Sequence, residues 1–331
     1  CMAQIHHERG DYNQAISLYK KSLSVGRAAL GKFHPEVAST LNKMGNLYYE
    51  QGDFEKAIEM YQQGLEVERL VLHSLHPNIT VTLTNIGQIY KHRGEYHSAL
   101  RLYQEALTLQ RMSLGESHPA LAVTLSSMAL IHYQNRRYQN ALDLYQLALR
   151  IRRDAHGDTN LDVASTLNSI GLVLFKFGKH SIAMQSFSES LRIRKELLGK
   201  NHRDVAVILY NIATIHLGRG EEDEAMNCYK ETLRLEQEAL GDDHPDVVMT
   251  YQHIAQVYQQ RGELRESLGH FQRSLRIQLS NSLSSDRSTA QTMNCIANVY
   301  LQMGNAELAM KHMCKAVRLY RANGDDEHEL K

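Results

Sequence analysis

Apolar side chains recur along this chain at helical spacing, and the whole pattern then returns at a much longer interval. Between 35 and 51, Leu41, Met44, Gly45 and Tyr48 fall on one helical face. Between 54 and 71, Ala57, Tyr61, Gly64 and Leu65 do the same. Three- and four-residue steps of this kind predict amphipathic helices. We expect a first helix over 35–51 and a second over 54–71, with a turn at Gly52. Forty-two residues on, the pattern begins again. The position of Gly45 is held throughout by small residues: Ala3, Gly87, Ala129, Gly171, Ala213, Ala255 and Ala297. The position of Tyr61 is aromatic in seven copies, from Tyr19 to Phe271, and Met313 in the last. Small residues let two helix axes approach, and the aromatics fill what space remains. A single helix pair cannot bury such a face, whereas stacked pairs can.

The boundaries of each unit are marked as clearly as its faces. His-Pro stands at 34–35, 76–77, 118–119 and 244–245, and these are the only prolines in the chain. Asn160, His202 and Asp286 hold the histidine position in the remaining copies. Proline suits the first helical residue, where its missing N–H costs nothing. Asn and Asp are strong helix caps, and the acidic residues that follow (Glu36, Asp162, Asp204, Asp246) suit a helix N-terminus. Glycine recurs at the Gly52 position, where a left-handed residue closes a helix; only Arg136 departs. Copies therefore start at 34, 76, 118, 160, 202, 244 and 286, after a truncated one at 1. We expect an all-α fold, a right-handed α-solenoid of about eight stacked helix-turn-helix repeats. It forms a single superhelix over 1–331, with a polar tail at 323–331. The stretch 280–285 (SNSLSS) is the least typical junction. The chain opens at Cys1 partway into a repeat, so we expect it to be a piece of something longer.

The order Leu41, Met44, Gly45, Tyr48, then Gly52, Phe54, Ala57, Tyr61 and Gly64 resembles the tetratricopeptide repeat. Two features differ from the common form. Arg69 stands where a proline is expected late in the second helix, and each copy is longer than 34 residues. The 42-residue form with His34-Pro35-Glu36-Val37-Ala38-Ser39-Thr40-Leu41-Asn42 and a closing Leu-Gly is similar to the repeats of kinesin light chains and their relatives. That resemblance covers the whole chain. It implies a scaffold whose first helices line a concave groove and hold an extended peptide segment, from a cargo adaptor or a signalling partner. It also implies a motor heavy chain as partner, through a coiled-coil segment that is not in this chain. The same repeat occurs fused to catalytic domains, so the alternative is a docking or sensing domain of a larger multidomain enzyme or signalling protein.

Composition removes several function classes. Lys and Arg number 37 and so do Asp and Glu, giving no net charge to draw nucleic acid or an anionic membrane. No apolar run is long enough to span a bilayer. The four cysteines form no Cys-x-x-Cys pair and no disulfide framework, which fits a reducing, cytoplasmic setting. Six of the 18 histidines, His34, His76, His118, His132, His202 and His244, sit at repeat positions, where architecture explains them. No His-Glu-x-x-His, Cys/His cluster, phosphate loop or nucleophile elbow occurs. No cofactor, no metal and no catalysis are expected. The acidic run 221–224 opens a second helix, and the basic clusters Arg150, Arg152, Arg153 and Arg192, Arg194, Lys195 are expected on solvated surface.

The candidate site is the face of the first helix beside its packing face, Ser39, Asn42, Asn46 and Tyr49 in the second copy. Residues at these positions in other copies vary, while Leu41, Gly45 and Ala57 barely do. Amides and hydroxyls prevail toward the ends of the chain, with Asn42, Asn46, Tyr49, Gln88, Lys91 and Asn168 as candidates to fix a peptide backbone. The central copies are apolar, with Leu130, Tyr133, Leu172, Phe175, Tyr210 and Leu217 as a candidate patch for peptide side chains. The same six residues would be expected in a superhelix that buries them against one another.

Overall fold

A computed structural model describes residues 2–280 and 286–322. Among the described residues there are sixteen α-helices and no strand. The chain divides into two compact units, Cys1–Asp158 and Thr159–Lys331. The first unit holds α1 (Met2–Glu8), α2 (Tyr12–Leu30), α3 (Pro35–Glu50), α4 (Phe54–Val71), α5 (Pro77–His92), α6 (Tyr96–Leu114), α7 (Pro119–Gln134) and α8 (Tyr138–His156). The second holds α9 (Leu161–Lys176), α10 (His180–Leu198), α11 (Arg203–Gly218), α12 (Glu222–Leu240), α13 (Val247–Gln260), α14 (Leu264–Ser280), α15 (Asp286–Gln302) and α16 (Ala306–Ala322). Each unit is a run of antiparallel helix pairs, in which the second helix of one pair also packs on the first helix of the next. Most of the junction expected at 280–285, from 281 onward, and the tail expected at 323–331 lie outside the described residues.

The helix starts show why histidine serves at the cap position. The Nδ1 atoms of His34, His76, His118 and His202 accept the backbone N–H two residues on, at 3.1–3.2 Å. Asn160 does the same through Oδ1, at 2.7 Å to Asp162. Nδ1 of histidine and Oδ1 of asparagine are both bonded to Cγ, so the two side chains reach the same orphan donor. One start differs: α13 begins at Val247, two residues after its proline.

Each pair closes on a left-handed residue. Gly52 has φ +77°. Arg136, which stands at that position in its copy, has φ +57°, and it is the only non-glycine residue with positive φ among the described residues. Between the paired helices the small position and the aromatic position meet. A Cβ placed on Gly45 would lie 2.7 Å from the Tyr61 ring, and one on Gly171 would lie 2.6 Å from Phe187. Tyr103, Tyr229 and Phe187 are fully buried, each removing the apolar area of a whole ring from water, about 1.5–3 kcal/mol.

Candidate functional site

The first helices carry a ridge at positions 39, 43, 46 and 50 and at 42-residue steps from them, exposed in some copies and half-buried in others, as at Ser39, Leu130 and Leu172. Lys43, Asn46 and Glu50 on α3, Val81, Gln88 and His92 on α5, and Met249, Gln256 and Gln260 on α13 are all exposed. One position of this ridge is apolar in four copies. Val81 and Val123 in the first unit are 55% and 61% exposed, and Val207 and Met249 in the second are 48% and 53% exposed. Amides stand one turn along: Asn85 and Gln88 beside Val81, Asn211 beside Val207, Gln256 beyond Met249. The ridge thus alternates side chains that prefer a dry partner with side chains that donate and accept hydrogen bonds.

The candidates from the sequence divide between this ridge and the seams between successive first helices. Asn46 and Gln88 are on the ridge. Asn46 accepts a hydrogen bond from the Tyr61 hydroxyl, and Gln88 donates to the Tyr49 hydroxyl at 3.2 Å. Asn46, Tyr49 and Gln88 come together with Glu50, Tyr61 and Asn85 around a polar cavity of about 200 Å³. Tyr49 itself lies in the seam, its ring 5.9 Å from that of His92 on the next first helix. Lys91 is half-buried, and burial lowers its pKa. Asn42 is turned into the stack. Its Nδ2 donates at 2.8 Å to both Glu68 and Thr82. Asn168 accepts from Asn211 at 2.9 Å across a seam of the second unit.

The six apolar candidates are half-buried. Leu130 and Tyr133 belong to the first unit, and Leu172, Phe175, Tyr210 and Leu217 to the second. The Phe175 ring lies 5.2 Å from His180 and carries the Lys176 ammonium 5.6 Å above it. Tyr210 packs edge-on to Tyr229 and His253, and burial pushes its hydroxyl up to about 12. Leu217 packs against the cluster of Ala213, Tyr229 and Ile254.

A polar position inside the stack was not singled out in the sequence. Near the end of the second helices stand Glu68, Gln110, Arg194, Glu236 and Gln278, at 42-residue multiples. Three of them meet a threonine fourteen residues on, in the first helix of the next pair. Thr82 donates to Glu68 at 2.9 Å, Thr124 to Gln110 at 2.9 Å, and Thr250 to Glu236 at 2.8 Å. In the Arg194 copy Ile208 replaces the threonine, and the guanidinium turns to Asp204 at 2.7 Å and Ser165 at 3.1 Å. Arg192 and Lys195 are exposed as expected, but Arg194 is buried. The expectation of solvated surface fails for it because this position faces the next repeat. Burial raises the pKa of both carboxyls. At Glu68 the Thr82 and Asn42 donors hold the rise back, and Glu236 is pushed up to about 7. The signal was present in the sequence as a polar residue recurring within an otherwise apolar face, paired with threonines at 82, 124, 166, 250 and 292. The ridge residues Val81, Val123, Val207 and Met249 were equally legible once the position of Ser39 is followed through the copies.

Among the described residues no three His, Cys, Asp or Glu side chains gather so as to hold a metal ion. No described helix is long and apolar enough to cross a membrane.

Sequence models of the tetratricopeptide repeat match residues 1–69, 78–154, 122–196, 162–238 and 204–280, and a second model of this repeat matches 289–325. Among curated proteins no relative matches. Solved structures share the fold. The apo form of the quorum sensor NprR from B. thuringiensis aligns over 96% of this chain and 86% of its own, at 16% identity and TM-score 0.68. BtubC (BKLC) from P. vanneervenii aligns over 70% and 92%, at 20% identity and TM-score 0.60. Repeats of a Podosopora anserina protein assigned to the kinesin light chains align over 62% and 98%, at 16% identity and TM-score 0.55. At these identities the likeness is one of fold.

Proposed function

This chain belongs to the tetratricopeptide repeat family, and on that premise we propose that it is a non-catalytic scaffold holding an extended segment of a partner protein along its first helices. The observation that carries this reading is the exposed apolar position repeated on successive first helices, Val81 and Val123 in one unit and Val207 and Met249 in the other. Exposed apolar side chains set in a polar rim are characteristic of binding surfaces. Neighbouring amides such as Asn85, Gln88 and Asn211 supply donors and acceptors for a backbone that makes no hydrogen bonds of its own. In its finer form the reading follows the kinesin light chain resemblance: the segment belongs to a cargo adaptor, and the scaffold works in the cytoplasm. Cys228, Cys295 and Cys314 are free thiols, which suits that setting.

A displayed peptide library panned on the chain tests the reading. The wild type should enrich extended peptides with apolar residues. A variant with Val81, Val123, Val207 and Met249 all changed to Asp should lose them, because a carboxylate replaces apolar surface worth about 1.5–3 kcal/mol per docked side chain. These positions face water, so the circular dichroism spectrum and melting temperature should hold. Leu172→Asp with Phe175→Asp asks whether the half-buried residues take part. Undiminished binding by the fourfold variant would sink the ridge as the docking face.

A further inference from the structure

The copy that contains Glu236 differs from the copy that contains Glu68 in the donors its carboxylate receives. Glu68 receives two side-chain donors, the Thr82 hydroxyl and the Asn42 amide. Glu236 receives only the Thr250 hydroxyl. The position of Asn42 is occupied in this copy by Tyr210, whose ring turns away to pack on His253 at 5.2 Å. What remains beside Glu236 is an open cavity of about 320 Å³ between α11 and α13. Val207, Tyr210 and Met249 line it, and Val207 and Met249 are also ridge residues. Arg203 lines it too, but its guanidinium is engaged with Asp246 at 2.6 Å. Among the described residues no cation lies within ion-pair distance of Glu236.

We propose that this cavity is a specificity pocket for a lysine side chain of the bound segment, with its stem between Val207 and Met249 and its ammonium on Glu236. The proposal rests on the scaffold reading and names what one position of the segment must be. Apolar walls above the Glu236 carboxylate, with the second carboxylate of the cavity, Asp246, already held by Arg203, match a long aliphatic stem that ends in a cation. A short polar side chain would leave the walls bare. An acidic one would meet two carboxylates. A purely apolar one would cover Glu236 without supplying the donor that its counterpart Glu68 has, and an ionised group covered without a partner is costly. The ammonium restores that second donor and adds charge, which makes it the stronger kind of hydrogen bond.

The pocket is tested without any selected peptide. Two probes are titrated at pH 8, Nα-acetyl-lysine methylamide and its uncharged norleucine counterpart, against protein with labelled methionine methyls. Met249 lines the cavity and reports occupancy, while the Met128 methyl of the first unit should not move. The lysine probe should shift the Met249 signal at about tenfold lower concentration than norleucine, the difference expected of one hydrogen bond to a charged group. Glu236→Gln should remove that preference. This variant suits the fold, since Gln110 occupies the same position and accepts the Thr124 hydroxyl. If Glu236→Gln fails to fold, the wild-type preference alone decides. Equal affinity of the two probes, or a lysine preference that survives in Glu236→Gln, would overturn the pocket. Peptides still captured by the library while the probes bind equally would leave the scaffold standing and remove only the pocket. A library that yields nothing would remove the scaffold and leave the probe result to be judged alone.

Discussion

At the scale of the residue, the stack contains a line of polar side chains that the apolar pattern conceals. Glu68 and Glu236 lie where a leucine would be expected, and they persist because a threonine of the next repeat supplies a donor. This arrangement is invisible to helical periodicity, which sorts residues by face and not by partner. Only the 42-residue alignment reveals it, and the partner lies fourteen residues away in another helix. The consequence is a pH dependence of definite sign. The Glu236 carboxyl is pushed up from an ordinary value of 4.5 to about 7, mainly by burial, with Asp246 adding to the rise and Thr250 and Arg203 opposing it. Between those values the folded chain holds the proton more tightly than the unfolded one. Its contribution to stability is therefore full below pH 4.5 and lost as pH rises through 7. His253 and His270, whose pKa values burial lowers, act in the opposite sense and favour the fold above 6.5. Comparing Glu236→Gln with wild type cancels the histidines. The melting temperature of Glu236→Gln relative to wild type should rise steadily from pH 5 to pH 8; a difference that does not change with pH would refute the buried-carboxyl account.

At the scale of the element, the boundaries were the most legible part of the fold. Pro35 and Gly52 predict α3 to within a residue, because proline fixes where a helix can start and glycine where it can turn. The late start of α13 was not legible, since it carries the same His-Pro as its neighbours. Two substitutions test the account of the boundaries. Arg136 adopts φ +57° at a position otherwise held by glycine, a conformation that costs an L-residue roughly 1–2 kcal/mol. Arg136→Gly should raise the urea midpoint of unfolding, and an unchanged or lower midpoint would show that Arg136 is held there by compensating contacts. His118→Ala removes the acceptor for the Ala120 N–H and should cost about 0.5–2 kcal/mol, whereas His118→Asn should retain stability. Equal losses in both variants would mean that the imidazole acts by something other than capping.

At the scale of the whole molecule, repetition separates what builds the stack from what is free to bind. Gly45 and Tyr61 recur because the two helices of each pair meet there, and Ala57 is buried beside them. The exposed ridge of the first helices was only half legible. Following the first helix by three- and four-residue steps led to Asn42 and Tyr49, which the structure shows turned into seams. The other two positions so reached, Ser39 and Asn46, lie on the ridge, which continues one residue over from Asn42 and Tyr49, at 43 and 50. A shift of one position on a helix rotates a side chain by about 100°, enough to exchange a buried neighbour for water. The second helices also expose apolar side chains, Leu70 at 62%, Met112 at 66% and Ile182 at 51%, so the choice of face is open to direct test. A library-selected peptide carrying a photoactivated residue at successive positions, cross-linked to the wild-type chain and mapped by mass spectrometry, makes that test. Adducts on the ridge at Val81, Val123, Val207 and Met249 and their neighbours are the predicted result, and adducts centred on Leu70, Met112 or Ile182 would contradict the first-helix docking face.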